Sequence, residues 1–246
     1  MTSPGPPQLP RLDETGIERV LCVVAHPDDM EYGAAAAVDR WTSAGIDVRY
    51  VLVTSGEAGI DALAPEQAGP LREQEERDGA AMVGVDVVEF LGHRDGVVEY
   101  GLPLRRDIAR AIRRHRPDTV VAMTHRERFA GGGVNQADHR AVGLATLDAA
   151  KDAGNRWIFT ELTDEGHEPW SGVRRVMFAG SAEATHGVDV TGHVEASIAS
   201  LRAHVAYLDG LSGSFPAPED FLPMMAAGGG LAIGTDAGVL FEVFEL

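Results

Sequence analysis

The sequence predicts an α/β fold, a mostly parallel sheet flanked by helices, with any active site at the carboxyl ends of the strands. Three observations carry this. Short apolar runs of strand length alternate with helix-length segments, the βαβ pattern. The first run, Val20-Leu21-Cys22-Val23-Val24, is apolar throughout, as a buried strand is. It is followed at once by Ala25-His26-Pro27-Asp28-Asp29, which puts a histidine and two carboxylates where open α/β sheets keep their ligands.

The elements follow in order. Residues 1–19, opening MTSPGPPQLP, are Pro-rich and read as a flexible lead-in to a single domain over 20–246 with a less regular C-terminal part. After the strand at 20–24, residues 31–44 read as a helix whose small residues, Gly33 to Ala37, permit close packing on a sheet; Gly45 ends it. Asp47 to Val53 is the second strand, running into the polar loop Thr54-Ser55-Gly56-Glu57-Ala58-Gly59. Residues 60–70, with Pro65 and Pro70, read as loop, and Leu71 to Val83 as a charged helix ended by Gly84. A short strand, Asp86 to Phe90, precedes Leu91-Gly92-His93-Arg94-Asp95-Gly96. A basic helix follows over 103–114, then a strand from Thr119 to Met123. Residues 124–138 form a Gly-rich loop, and His139 opens a helix to about Ala150. Val173 to Phe178 reads as a strand and Glu195 to Leu208 as a helix. Turns are expected near Pro216-Ala217-Pro218 and at the triple glycine 228–230, and Val239 to Leu246 is apolar enough to tuck onto the core.

Bulk composition narrows the function classes. The chain has 246 residues and a formal net charge of −17, from 38 acidic and 21 basic residues. Nucleic acid and anionic membrane are disfavoured, because affinity for phosphate-coated partners comes largely from Lys and Arg. The single cysteine, Cys22, excludes an internal disulfide and a cysteine-rich metal site. No signal-peptide pattern and no membrane-length apolar run is present, so a cytoplasmic protein without integral membrane association is expected. Met224-Met225 and Phe241 to Leu246 are candidate surfaces for a homo-oligomer.

Three loops behind three strands hold ionisable groups: His26/Asp28/Asp29, His93/Arg94/Asp95, and His125 through Asp138/His139. In a parallel sheet these loops converge on one edge. A catalytic metal site needs about three protein ligands and an open position. His26, Asp29 and His139 supply two imidazoles and one carboxylate, and Asp28, beside a ligand, is the candidate base. The competing reading makes Asp28 or Asp29 a helix cap and the histidines surface or core residues. Phosphate-loop patterns are absent, and Ser55 is a weak match to a nucleophile elbow.

Val24-Ala25-His26-Pro27-Asp28-Asp29, with Glu31 two positions on, resembles the opening motif of the LmbE-like (PIG-L) family of zinc-dependent N-acetylglucosamine-type deacetylases; Met30 stands where the family usually has Glu. Val53 to Gly59, Arg72 and Glu75, Leu91-Gly92, Asp95-Gly96, Arg116-Pro117-Asp118 and Asp138-His139-Arg140 are similar to further family stretches. The resemblance is specific over about 20–150 and looser to about 208. It implies a Rossmann-like fold, one Zn2+ held by His26, Asp29 and His139, and Asp28 as general base. The implied substrate is a small N-acylated molecule, typically an N-acetylglucosamine-type sugar or conjugate. Arg72 and Asp95 are implied pocket residues, although Arg72 and Glu75 equally suit a helical ion pair. Many members carry His-Pro-Asp-His at the last motif, where this chain has Gln136-Ala137-Asp138-His139. Gln136 donates only a neutral hydrogen bond. His186 is therefore the first candidate for the missing oxyanion partner, ahead of His125 and His93. An amidase acting on a larger conjugate, or a non-catalytic metal- or sugar-binding protein, remain as alternatives.

Overall fold

The computed structural model describes residues 8–211 and 216–246. Its elements are, in chain order, β1 (Arg19–Val24), α1 (Asp29–Gly33), α2 (Ala35–Ser43), β2 (Asp47–Leu52), α3 (Pro65–Met82), β3 (Val88–Phe90), α4 (Leu102–His115) and β4 (Thr119–Met123). There follow α5 (Ala137–Gly154), α6 (Glu161–Asp164), β5 (Arg175–Ala179), β6 (His186–Asp189), α7 (Val194–Arg202), α8 (Val205–Gly210), α9 (Pro218–Ile233) and β7 (Gly238–Glu245).

The seven strands form one sheet in the order β3-β2-β1-β4-β5-β7-β6. The first five in space are parallel, whereas β7 runs antiparallel to both β5 and β6. The α/β, Rossmann-like expectation therefore holds. The chain leaves β1 on one side to form β2 and β3 and returns on the other side as β4. This reversal opens a crevice beside the carboxyl ends of β1 and β4, where ligands of such sheets bind.

Both faces of the sheet are covered. Val20, Cys22 and Val24 pack with Trp41, Tyr50 and Phe241, while Leu21 and Val23 pack with Leu104, Ile108, Ile112 and Ala145. Burial on two sides explains why β1 has no polar alternation.

Several boundaries differ from the sequence expectation. The helix expected over 31–44 is two helices broken at Ala34, whose φ of −154° is not helical. α3 begins at Pro65 rather than Leu71, because proline at the first helical position gives up a donor that would lie unused there. The helix expected over 195–208 is broken between Arg202 and Val205, which turns His204 into the interior with no exposure. The triple glycine is not a turn but lies inside α9. A Cβ on Gly229 would sit 2.0 Å from the Gly238 carbonyl oxygen, so glycine is what lets α9 lie directly on β7. Phe241, expected at a surface for self-association, is fully buried in β7, whereas Met224 and Met225 are exposed. Of the expected lead-in, residues 1–7 lie outside the described residues. The part from Gln8 on is packed rather than flexible: Leu12 and Ile17 are buried, and Leu12 N–H donates to the Gly187 carbonyl. Among the described residues, no helix is long and apolar enough to cross a membrane.

Candidate metal centre and active site

His26, Asp28 and Asp29 occupy the turn between β1 and α1. Asp29 does not cap the helix. Its Oδ2 reaches back to accept the N–H groups of Ala25 (2.9 Å) and His26 (3.0 Å), which cinches the turn and leaves Oδ1 facing outward. His139 lies in the first turn of α5, across the crevice from β1.

The partners of the two imidazoles decide which nitrogens are bare. His26 Nε2 lies 3.0 Å from Asp95 Oδ1 and 3.3 Å from Asp138 Oδ2, so in the neutral ring the proton belongs there and Nδ1 is bare. His139 Nδ1 lies 2.9 Å from Asn135 Oδ1, which can only accept, so Nε2 is bare. These two bare nitrogens stand 3.2 Å apart. Asp29 Oδ1 is 2.9 Å from His139 Nε2 and 3.8 Å from His26 Nδ1. Two lone pairs and a carboxylate oxygen meeting at one point repel unless positive charge sits between them. A proton can supply that charge: burial alone would lower the His26 pKa, but Asp138, Asp29 and Asp95 outweigh it and push it up to about 12, and the protonated ring donates from Nδ1 towards His139 Nε2. Burial would likewise raise Asp29, yet His139 and His26 hold it well below the usual carboxylate range. His26, Asp29 and His139 offer ligand atoms close enough together to hold one metal ion, and nitrogen and oxygen donors of this kind suit a divalent metal.

Asp28 is held apart from this triad. Its backbone is left-handed, with φ 93° and ψ −18°, a conformation costing about 1–3 kcal/mol outside glycine. Its Oδ2 pairs with Arg72 at 3.1 Å. Burial raises the Asp28 pKa to about 6 against the opposing pull of Arg72.

The other expected site residues take definite places. Arg72 does not bond Glu75. Its guanidinium also donates to the Pro27 and Gly56 carbonyls and lies 4.3 Å from the Tyr207 ring centre. Glu75 instead accepts the Ala206 N–H. Asp95 spends one oxygen on His26 and the other on the Ala58 N–H, so it orients a ligand instead of lining an open pocket. Gln136 is the exposed residue immediately before α5.

His186 is not brought to the site. It is in register with Phe241, and Phe241 with Ala179, so it lies four strand spacings from β1, about 19 Å at ~4.8 Å per strand. Its Nδ1 rests 3.0 Å from Thr185 Oγ1. His93 pairs with Asp107, and the His125 ring packs on Phe178.

Asn135 was missed by sequence reasoning, and Asp138 serves His26 rather than its neighbour His139. Asp138 is fixed by the N–H groups of Gly96 (2.7 Å) and Val98 (3.1 Å). Asn135 donates to the Thr124 and Arg126 carbonyls, which aims its oxygen at His139. Groups that orient metal ligands typically change affinity about 10–100-fold when lost. Asn135→Ala is expected to weaken divalent-metal affinity by that factor, measured by chelator competition; wild-type affinity would show that the contact has no such role.

Residues 21–150 match the PIG-L family, described as GlcNAc-PI de-N-acetylase. The chain belongs to this family. The chain is 27% identical over 190 residues to a diacetylchitobiose deacetylase of Thermococcus kodakarensis, covering 76% of this chain and 69% of the relative. It is 30% identical over 264 residues to a 1D-myo-inositol 2-acetamido-2-deoxy-alpha-D-glucopyranoside deacetylase of Kineococcus radiotolerans, covering 80% and 70%. Its fold is similar to the solved N,N'-diacetylchitobiose deacetylase of Pyrococcus horikoshii, with a TM-score of 0.83 over 94% of this chain and 85% of that one, at 24% identity. Family and site together make this PIG-L protein a metal-dependent hydrolase acting on acylated small molecules.

Proposed function

We propose that the chain is a zinc-dependent N-deacetylase that removes the acetyl group from an N-acetylglucosamine-type sugar or sugar conjugate. The observation that carries this is the convergence of two imidazole nitrogens and Asp29 Oδ1, with a separate buried carboxylate, Asp28, on the same turn. A pure binding protein has little use for a base beside a metal. The names of the two sequence relatives, both of acetamido-sugar deacetylases, support the substrate class.

When bound, the metal supplies Lewis acidity, lowering the pKa of water towards ~7 and polarising the amide carbonyl. The residues of the chain supply the rest. Asp28 takes the proton of the attacking water, held in place by Arg72. The protonated carboxyl then gives that proton to the departing nitrogen, leaving acetate and a free amine. Asp95, Asp138 and Asn135 keep both imidazoles in the tautomers that face the metal. Gln136, exposed at the start of α5, is the proposed neutral donor to the substrate.

The test is amine release over a panel of N-acetyl sugars, with and without added zinc, with acetate measured alongside. Stoichiometric acetate and amine are expected. Zinc binding without turnover favours a binding protein. Release of a larger acid from a conjugate, with acetyl sugars untouched, favours an amidase.

A further inference from the structure

Beneath Asp28, three helical segments bring together Glu31 from α1, Glu76 from α3 and His204 from the break between α7 and α8. All three are essentially without exposure. Glu76 Oε2 accepts the Asp28 N–H at 3.0 Å. His204 Nε2 stands 3.8 Å from both Glu76 Oε2 and Glu31 Oε2. Glu31 is held in turn by Ser200 Oγ, 2.8 Å from its Oε1. The cluster is tight: a Cβ on Gly79 would come within 3.1 Å of His204 Nε2 and 3.3 Å of Glu31 Oε1.

Burying two carboxylates and an imidazole is costly unless the arrangement is over-determined. Asp28 is also the left-handed residue of the turn. Strain of this kind persists only where surrounding contacts enforce it. Glu76 takes the N–H of the Pro27–Asp28 peptide, while Arg72 takes its carbonyl.

We propose that Glu76 is a positioning residue: it holds the Asp28 peptide by its N–H in the left-handed conformation that points the carboxylate at Arg72, with His204 packed beside the Glu76 carboxyl. This rests on the reading of Asp28 as the base. Burial and the neighbouring Glu31 push the Glu76 carboxyl well above its ordinary range. Gln keeps the shape and an acceptor oxygen for the Asp28 N–H, and Met fills similar space without an acceptor.

The experiment compares Glu76→Gln and Glu76→Met by steady-state kinetics, metal content, thermal stability and amide hydrogen exchange. Glu76→Ala replaces Met if that variant fails to fold. Misplacement of a catalytic group by about 1 Å costs on the order of 10²-fold in rate. Met is expected to lose kcat by about that factor with KM and bound metal unchanged, to lower the melting temperature by leaving the Asp28 N–H unpaired, and to deprotect the Asp28 amide. Gln is expected to recover most of the turnover and the protection. Wild-type kcat in Met, a kcat loss without faster Asp28 exchange, or equal losses in Gln and Met each overturn the proposal. If the wild-type protein hydrolyses no N-acetyl sugar, the deacetylase reading fails, while the exchange of the Asp28 amide still decides whether Glu76 holds it.

Discussion

Asp28→Asn is expected to lower kcat by about 10²–10⁴-fold, the range that a positioned general base contributes, while metal content stays at the wild-type level. The separation follows from geometry. Asp28 has its own partner in Arg72, and the convergent atoms of the triad come from His26, Asp29 and His139. Asn keeps the shape and an oxygen for the Arg72 guanidinium, so the turn should survive. What it loses is the ability to take a proton from water. Elemental analysis beside steady-state kinetics checks both halves. Wild-type turnover at equal metal content would remove Asp28 from the role of base, and loss of metal would make it part of the ligand set.

His139→Ala is expected to strip the metal and reduce turnover to background. It leaves one imidazole and one carboxylate, below the three protein ligands of a typical catalytic site. It also orphans the Asn135 oxygen and removes the atom 2.9 Å from Asp29 Oδ1. The fold should persist, because His139 lies in the first turn of α5 at the edge of the sheet and outside its apolar layers. Ligand that binds only the native state stabilises it by about 2.7 kcal/mol at a hundredfold excess over Kd. Zinc should therefore raise the melting temperature of the wild-type protein and not that of the variant. A full metal complement in His139→Ala would break the triad assignment.

The convergence of His26, Asp29 and His139 was legible because its grammar is local. A polar turn directly behind an all-apolar strand has one destination in a parallel sheet, and His139 opens the helix that follows another such strand. His186 was misread because β6 looks like any late loop in the sequence, and only the strand order sets it four spacings from β1. α3 was legible as a helix and illegible in its orientation. Arg72, Glu75, Glu76 and Gly79 repeat at the spacing of an inward face, but three of the four are charged, so the stripe that marks burial looked like a solvated one. The inward spacing was the available signal.

The sequence by itself determined the parallel α/β sheet, the turn carrying His26, Asp28 and Asp29, and the partnership with His139, since these depend on apolar periodicity and on where strands end. Only the tertiary structure decided which carboxylate serves which imidazole, that Arg72 faces Asp28, and that Glu76 and His204 lie beneath it. Such pairings join residues 44 to 173 positions apart, as Arg72 to Asp28 and His204 to Glu31 do. A buried charge is tolerated only against a complementary group, and no local pattern records which distant group that will be.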